Sequence, residues 1–187
     1  WCWAAGEAGK VLLKGIILRE LATGAGAPGA DGSLEEFCVK YKIPGLKGVD
    51  TRALTRYLRQ NGTQPGVLVR ELATGQRFWT ASSPVVSEPT PHWVYQATTG
   101  EGYLIPGAGP VVAVLDLGVK RSILRCLQQR GFCLYVFPAG TSAAEIMEIK
   151  PRGLVVSNGP GDPAALPAIY AELRKLSGRL PILGTGL

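Results

Sequence analysis

A chain of 187 residues is long enough for one domain or for parts of two, and 46% hydrophobic against 18% charged residues is the balance of a globular protein. The formal net charge of +6 comes from scattered Lys and Arg, with no basic run interleaved with aromatics, which argues against a nucleic-acid groove. No apolar run approaches the length of a membrane span, and WCWAAGEAGK lacks the basic start and apolar stretch of a secretory signal, so the expected compartment is the cytoplasm.

The chain opens on Trp1 rather than Met, and the expectation is that it begins within a longer protein. Residues 11–18 (VLLKGIIL) read as a strand and the Gly/Ala-rich stretch 22–32 as a loop. Ser33 and Glu36 have capping-box spacing and predict a short helix to about Tyr41. Asp50 or Thr51 can cap a second helix through TRALTRYLRQ, stopped at Asn61-Gly62. Residues 66–70 (GVLVR) read as a strand. The hexamer RELATG occurs at 19–24 and 70–75, too short and isolated to mark a structural repeat. Residues 81–110, with Pro84, Pro89, Pro91, Pro106 and Pro110, read as a linker that carries the only histidine, His92.

From Val111 the pattern is regular. VVAVLD is a buried-type strand; Val119, Ile123, Leu124 and Leu127 mark one helix face, closed by Gly131. FCLYVF is a second strand, ended by Pro138, and Ser142 with Glu145 opens a helix up to Lys150. LVVSN is a third strand, followed by GPGDP, a helix near 164–177 and the short strand PIL. This alternation implies an α/β fold, a parallel sheet with helices on both faces, whose ligands bind beyond the carboxyl ends of the strands. Cys2, Cys38, Cys126 and Cys133 show no metal spacing; buried, inert thiols without a catalytic role are expected, and no metal site.

The string SNGPGDP at 157–163 carries the chemistry. Gly159 and Gly161 can take backbone angles closed to other residues, while Pro160 fixes φ between them. Such a rigid loop leaves backbone N–H groups free for a developing oxyanion. A bare Gly-Pro-Gly is more often an ordinary strand-to-helix turn; the full string between a strand and a helix favours the oxyanion reading. Asp162 reads first as a helix cap.

These motifs carry a resemblance. Residues 111–187 resemble the first half of a class I (triad) glutamine amidotransferase domain, a motif shared with anthranilate synthase and GMP synthetase partners. With GVDTRALTRYLRQNGTQPGVLV upstream and LDLGVKRSIL at its entry, the chain is similar to the small subunits of carbamoyl-phosphate synthetases from about Val11 onward. The resemblance implies residues 1–80 as part of a smaller α/β N-terminal domain, 81–110 as linker, and 111–187 as an incomplete amidotransferase domain, truncated at both ends. It implies a glutamine-hydrolysing carbamoyl-phosphate synthase, a ligase serving arginine or pyrimidine synthesis. In that family a cysteine on a sharp turn attacks glutamine, a glutamate-oriented histidine is its base, and ammonia passes to a large subunit. The partners implied are that large subunit and L-glutamine; ATP and Mg are expected on the large subunit, with no cofactor in this chain.

Carried over residue by residue, Gly159 and Gly161 match oxyanion and glutamine-binding positions, and Leu187 a glutamine-contacting one. In the elbow Gly-x-Cys-x-Gly, Gly184 and Thr185 match the first two residues and Gly186 stands at the nucleophile. Glycine has no sulfur, and the family's histidine and glutamate lie further on, so this chain is expected to be inactive; His92 is not their substitute. A non-catalytic scaffold or regulatory subunit, or a remnant without function, are the alternatives. Arg52, Arg56 and Arg59 form a stripe on one helix face, either solvated or facing an acidic subunit, and Lys120 and Arg121 are either a pocket contact or solvent-facing.

Overall fold

The computed structural model describes residues 7, 11–22, 24, 32–62, 64, 66–68, 70, 71, 77, 78 and 90–186. The chain divides into two compact units, 1–87 and 88–187.

In the first unit, strand β1 (Ile16–Ile17) pairs in parallel with β2 (Gly45–Leu46). Between them lies α1 (Leu34–Lys40), opened by the capping box that the sequence predicts: the Glu36 N–H donates to Ser33 Oγ at 3.1 Å and the Ser33 N–H to Glu36 Oε2 at 2.7 Å. Helix α2 (Thr51–Asn61) starts at Asp50, whose carboxylate accepts from the Arg52 and Ala53 N–H groups, and ends at Gly62 with φ of 72°. A short antiparallel pair, β3 (Arg70–Glu71) and β4 (Arg77–Phe78), follows. The strand expected over 11–18 is limited to two residues, and 66–68 form no strand. Phe37 and Ile43 are the buried hydrophobics among the described residues here.

The second unit holds α3 (Thr90–Ala97), β5 (Tyr103–Ile105), β6 (Val111–Asp116), α4 (Arg121–Gln129), β7 (Cys133–Pro138), α5 (Ala143–Glu148), β8 (Leu154–Val156), a 3₁₀ turn (Pro163–Ala165), α6 (Pro167–Leu176) and β9 (Ile182–Gly184). One sheet runs in the order β5-β7-β6-β8-β9. Four of its strands are parallel, as the alternation from Val111 predicts, while β5 lies antiparallel to β7 and makes the sheet mixed. The sequence reading is corrected at 90–105, where the expected linker is a helix and an edge strand. Pro91 falls in the first turn of α3, where no intrahelical N–H is needed. Residues 81–89 lie outside the described residues.

Period-2 alternation along β6 separates two cores. Ala113 and Leu115 pack with Leu154, Ile146, Ile169, Leu176 and Val94, the side covered by α3, α5 and α6. Val112 and Val114 pack with Leu134, Val136, Val155 and Leu124, the side covered by α4. Helix α5 opens on its predicted capping box, Ser142 with Glu145. The Ala143 N–H donates to Glu172 Oε2 at 2.8 Å, joining α5 to α6, and Glu172 also pairs with Lys175. The thiols are not buried as expected: Cys126 is exposed on α4, Cys38 and Cys133 are half-buried, and Cys2 lies outside the described residues.

Two outcomes follow for stability. Leu134 is fully buried, so Leu134→Ala should cost about 2–5 kcal/mol in urea unfolding, whereas Leu104→Ala, 56% exposed on β5, should stay within about 0.5. Hydrogen bonds from Ser142, side chain then backbone, hold the Glu145 carboxyl below its ordinary value, and the Ala143 N–H followed by Lys175 does the same for Glu172. Both contribute stability above the unfolded carboxyl value that is lost as pH falls through the lowered folded one. Acid titration of Tm should therefore steepen below about pH 4.5, and Ser142→Ala should flatten it.

Candidate functional site

The site is built where β6, β8 and β9 end side by side. After β8 the chain enters Ser157, whose Oγ accepts from the Leu117 N–H at 2.9 Å and donates to the Asn158 carbonyl at 2.8 Å. Asn158 reaches the loop after β6: its Nδ2 donates to the Gly118 carbonyl at 2.8 Å, and its Oδ1 accepts from the Lys120 N–H at 3.3 Å. Two loops from adjacent strands are thereby held as one surface.

Close packing then demands glycine. A Cβ on Gly159 would lie 2.5 Å from the Leu117 carbonyl oxygen, inside any real contact. Gly161 has φ of 83°, a left-handed conformation that side chains disfavour. A Cβ on Gly118, at φ of 124°, would meet Ala97 Cβ at 3.2 Å, Pro160 Cδ at 3.4 Å and Gly159 Cα at 3.5 Å. Asp162 accepts from the Ala164 N–H at 2.9 Å, so it caps a 3₁₀ turn; the helix expected from 164 begins only at Pro167. Loop residues 159–164 are exposed, forming an open edge rather than a closed pocket.

Beneath this edge sits the Asp116 carboxylate, 5% exposed. Its Oδ1 accepts from the Gly118 and Val119 N–H groups at 2.8 and 2.7 Å, and its Oδ2 from the Thr99 N–H at 2.8 Å. The phenol of Tyr103 is pushed up, first by burial and then by Asp116, with Arg121 opposing. Sequence reasoning missed this cluster. The signals were a polar residue ending a buried strand and the Thr98-Thr99 pair after Trp93, Val94 and Ala97.

The elbow follows β9. The Thr185 N–H donates to the Val156 carbonyl at 3.0 Å, keeping the turn beside β8, while Thr185 Oγ1 is buried without a hydrogen-bond partner. Gly186 has φ of 82°, and a Cβ on it would lie 2.4 Å from Asn158 Cβ. The structure therefore sets Gly186 against the residue preceding Gly159. Leu187 lies outside the described residues. Among the described residues no group of three or more His, Cys, Asp or Glu is placed to hold a metal. His92 falls on α3.

Comparison with known proteins joins these features. Residues 4–68 match the family described as carbamoyl-phosphate synthase small chain, CPSase domain, and residues 113–187 match glutamine amidotransferase class-I. The chain belongs to the carbamoyl phosphate synthase small-chain family. It is 41% identical over 184 residues to the carbamoyl phosphate synthase small chain of Methanopyrus kandleri, covering 96% of this chain and 51% of the relative. Against the small chain of Listeria monocytogenes it is 37% identical, covering 92% and 47%. Against the pyrimidine-specific small chain of Lactiplantibacillus plantarum it is 34% identical, covering 95% and 48%. The chain thus spans about half the length of the curated relatives it matches.

Elsewhere in this small-chain family member, Arg52, Arg56 and Arg59 line one exposed face of α2 with Thr51 and Thr55. Arg19 joins Arg52 and Arg56 around a neighbouring hollow. Lys120 is exposed at the start of α4, with only its backbone engaged by Asn158.

Gly159→Ala should displace the Leu117 carbonyl and cost about 1–3 kcal/mol. Amide NMR shifts are expected at 117–119, 157–159, 161 and 162, with β7 unchanged.

Proposed function

We propose that this chain supplies the first part of a glutamine site in the small, glutamine-hydrolysing subunit of a carbamoyl phosphate synthase. The observation that carries the reading is the meeting of Gly186 with the Ser157–Gly161 loop at the ends of parallel β8 and β9. In this reading the N–H groups of Gly159 and Gly161 face the glutamine amide and stabilise the oxyanion formed there, and Leu187 continues the glutamine contact. A large subunit, supported by the words "small chain" in the relatives' names, receives ammonia and holds ATP and Mg. The product serves pyrimidine or arginine synthesis, the first being named for one relative. The compartment proposed is the cytoplasm; no helix among the described residues is long and apolar enough to cross a membrane.

Thioester chemistry needs a thiolate at the elbow, and Gly186 has none. This chain by itself therefore hydrolyses no glutamine. Crowding at Gly186 favours a second reading, a scaffold that binds glutamine or the large subunit without cleaving the substrate.

Titrating L-glutamine into the ¹⁵N-labelled chain is expected to move the amide resonances of Gly159, Gly161 and Gly186, leave those of α2 in place, and release no ammonia. An unchanged loop at saturating ligand would remove the glutamine site, and ammonia above the spontaneous rate would remove the inactive assignment.

A further inference from the structure

We infer that Thr98 is a positioning residue for the Gly159–Gly161 loop, its hydroxyl standing in for the last rung of the β6–β7 ladder and parting β6 from β7 where β6 runs into the site. The inference rests on the glutamine-site reading given above.

Parallel strands exchange hydrogen bonds at even spacing, each rung two residues beyond the last. The Cys133 N–H donates to the Pro110 carbonyl at 3.2 Å, and the register pairs Val111 with Cys133 through Asp116 with Pro138. Continuing by twos, the next rung after β7 residue 137 would join the Ala139 N–H to the Asp116 carbonyl. Neither group bonds the other. The Ala139 N–H donates to Thr98 Oγ1 at 3.0 Å, and Thr98 Oγ1 donates to the Asp116 carbonyl at 2.6 Å. One hydroxyl thus accepts from one strand and donates to the other, parting them while leaving neither backbone group orphaned.

Thr98 is fixed for this task. Its N–H donates to the Val94 carbonyl at 2.9 Å, continuing α3, and Val94 is 1% exposed in the core. The Thr99 N–H then takes the Asp116 carboxylate, which also holds the Gly118 and Val119 N–H groups. Gly118 is the point on which Ala97, Gly159 and Pro160 converge. A path of contacts therefore runs from α3 through Thr98 and Asp116 to the loop.

Thr98→Val keeps the shape and removes both hydroxyl bonds; Thr98→Ser keeps them. Amide hydrogen exchange is measured on the whole chain without glutamine, so failure of this role and failure of the glutamine site fall in separate experiments. In Thr98→Val, exchange at Thr99, Gly118 and Val119, bonded to Asp116, and at Leu117 and Lys120, bonded to Ser157 and Asn158 ahead of the loop, should rise about tenfold, with Ala113 and Leu154 unchanged and Thr98→Ser like the parent. Unchanged exchange at these bonded amides, or an equal rise at Ala113 and Leu154, would overturn the inference. Should Thr98→Val not fold, exchange of the parent chain under mild denaturant decides. Ala139, Thr99, Gly118 and Val119 should share one opening free energy, lower than that of Ala113, and independent openings would sink the role.

Discussion

A carboxylate taken out of water at the end of a central strand has to find donors, and Asp116 finds three backbone N–H groups. Without them its burial would cost several kcal/mol. Gly118 and Val119 lie just downstream, whereas Thr99 comes from the segment after α3. Satisfying one side chain therefore fixes the turn that leads into α4 and ties α3 to the sheet. The Gly118 turn in turn backs the loop that carries Gly159 and Pro160. Functional edge and core are in this way one structure, with the polar atoms of Asp116, Ser157 and Thr98 joining them.

Glycine at this edge is a matter of distance more than of flexibility. Gly159 leaves room for the Leu117 carbonyl, and Gly186 for Asn158. A loop packed this closely keeps its N–H groups in place without side-chain help, which suits an oxyanion site. The same closeness explains why Gly186 is more than a missing thiol. Its left-handed φ resembles a sharp turn, yet Asn158 occupies the space in which a side chain would start.

Among the described residues the two units differ in how far they bury their apolar side chains. The second has two cores on opposite faces of a five-stranded sheet. In the first, Val39, Leu46, Tyr57 and Leu58 are exposed. The second unit alone carries the loops on which the glutamine reading rests, and its architecture is explained by its own contacts. At its edge, β9 keeps Leu183 59% exposed.

What the sequence determined by itself was local. Both capping boxes, the Asp50 cap, the turn at Gly62 and the run of parallel strands from Val111 were legible, because each depends on residues within a turn or on side-chain period. SNGPGDP was legible as a loop for the same reason. Tertiary structure alone decided the rest. Pro-rich composition over 81–110 reads as linker, but Val94 finds a core and β5 pairs with β7 across 29 to 33 positions. The bonds of Thr98 to Asp116 and Ala139 span 18 and 41 positions, and those of Asn158 to Gly118 span 40. No local pattern encodes such pairs, because their energy appears only when distant strand ends are brought side by side and buried groups must be satisfied.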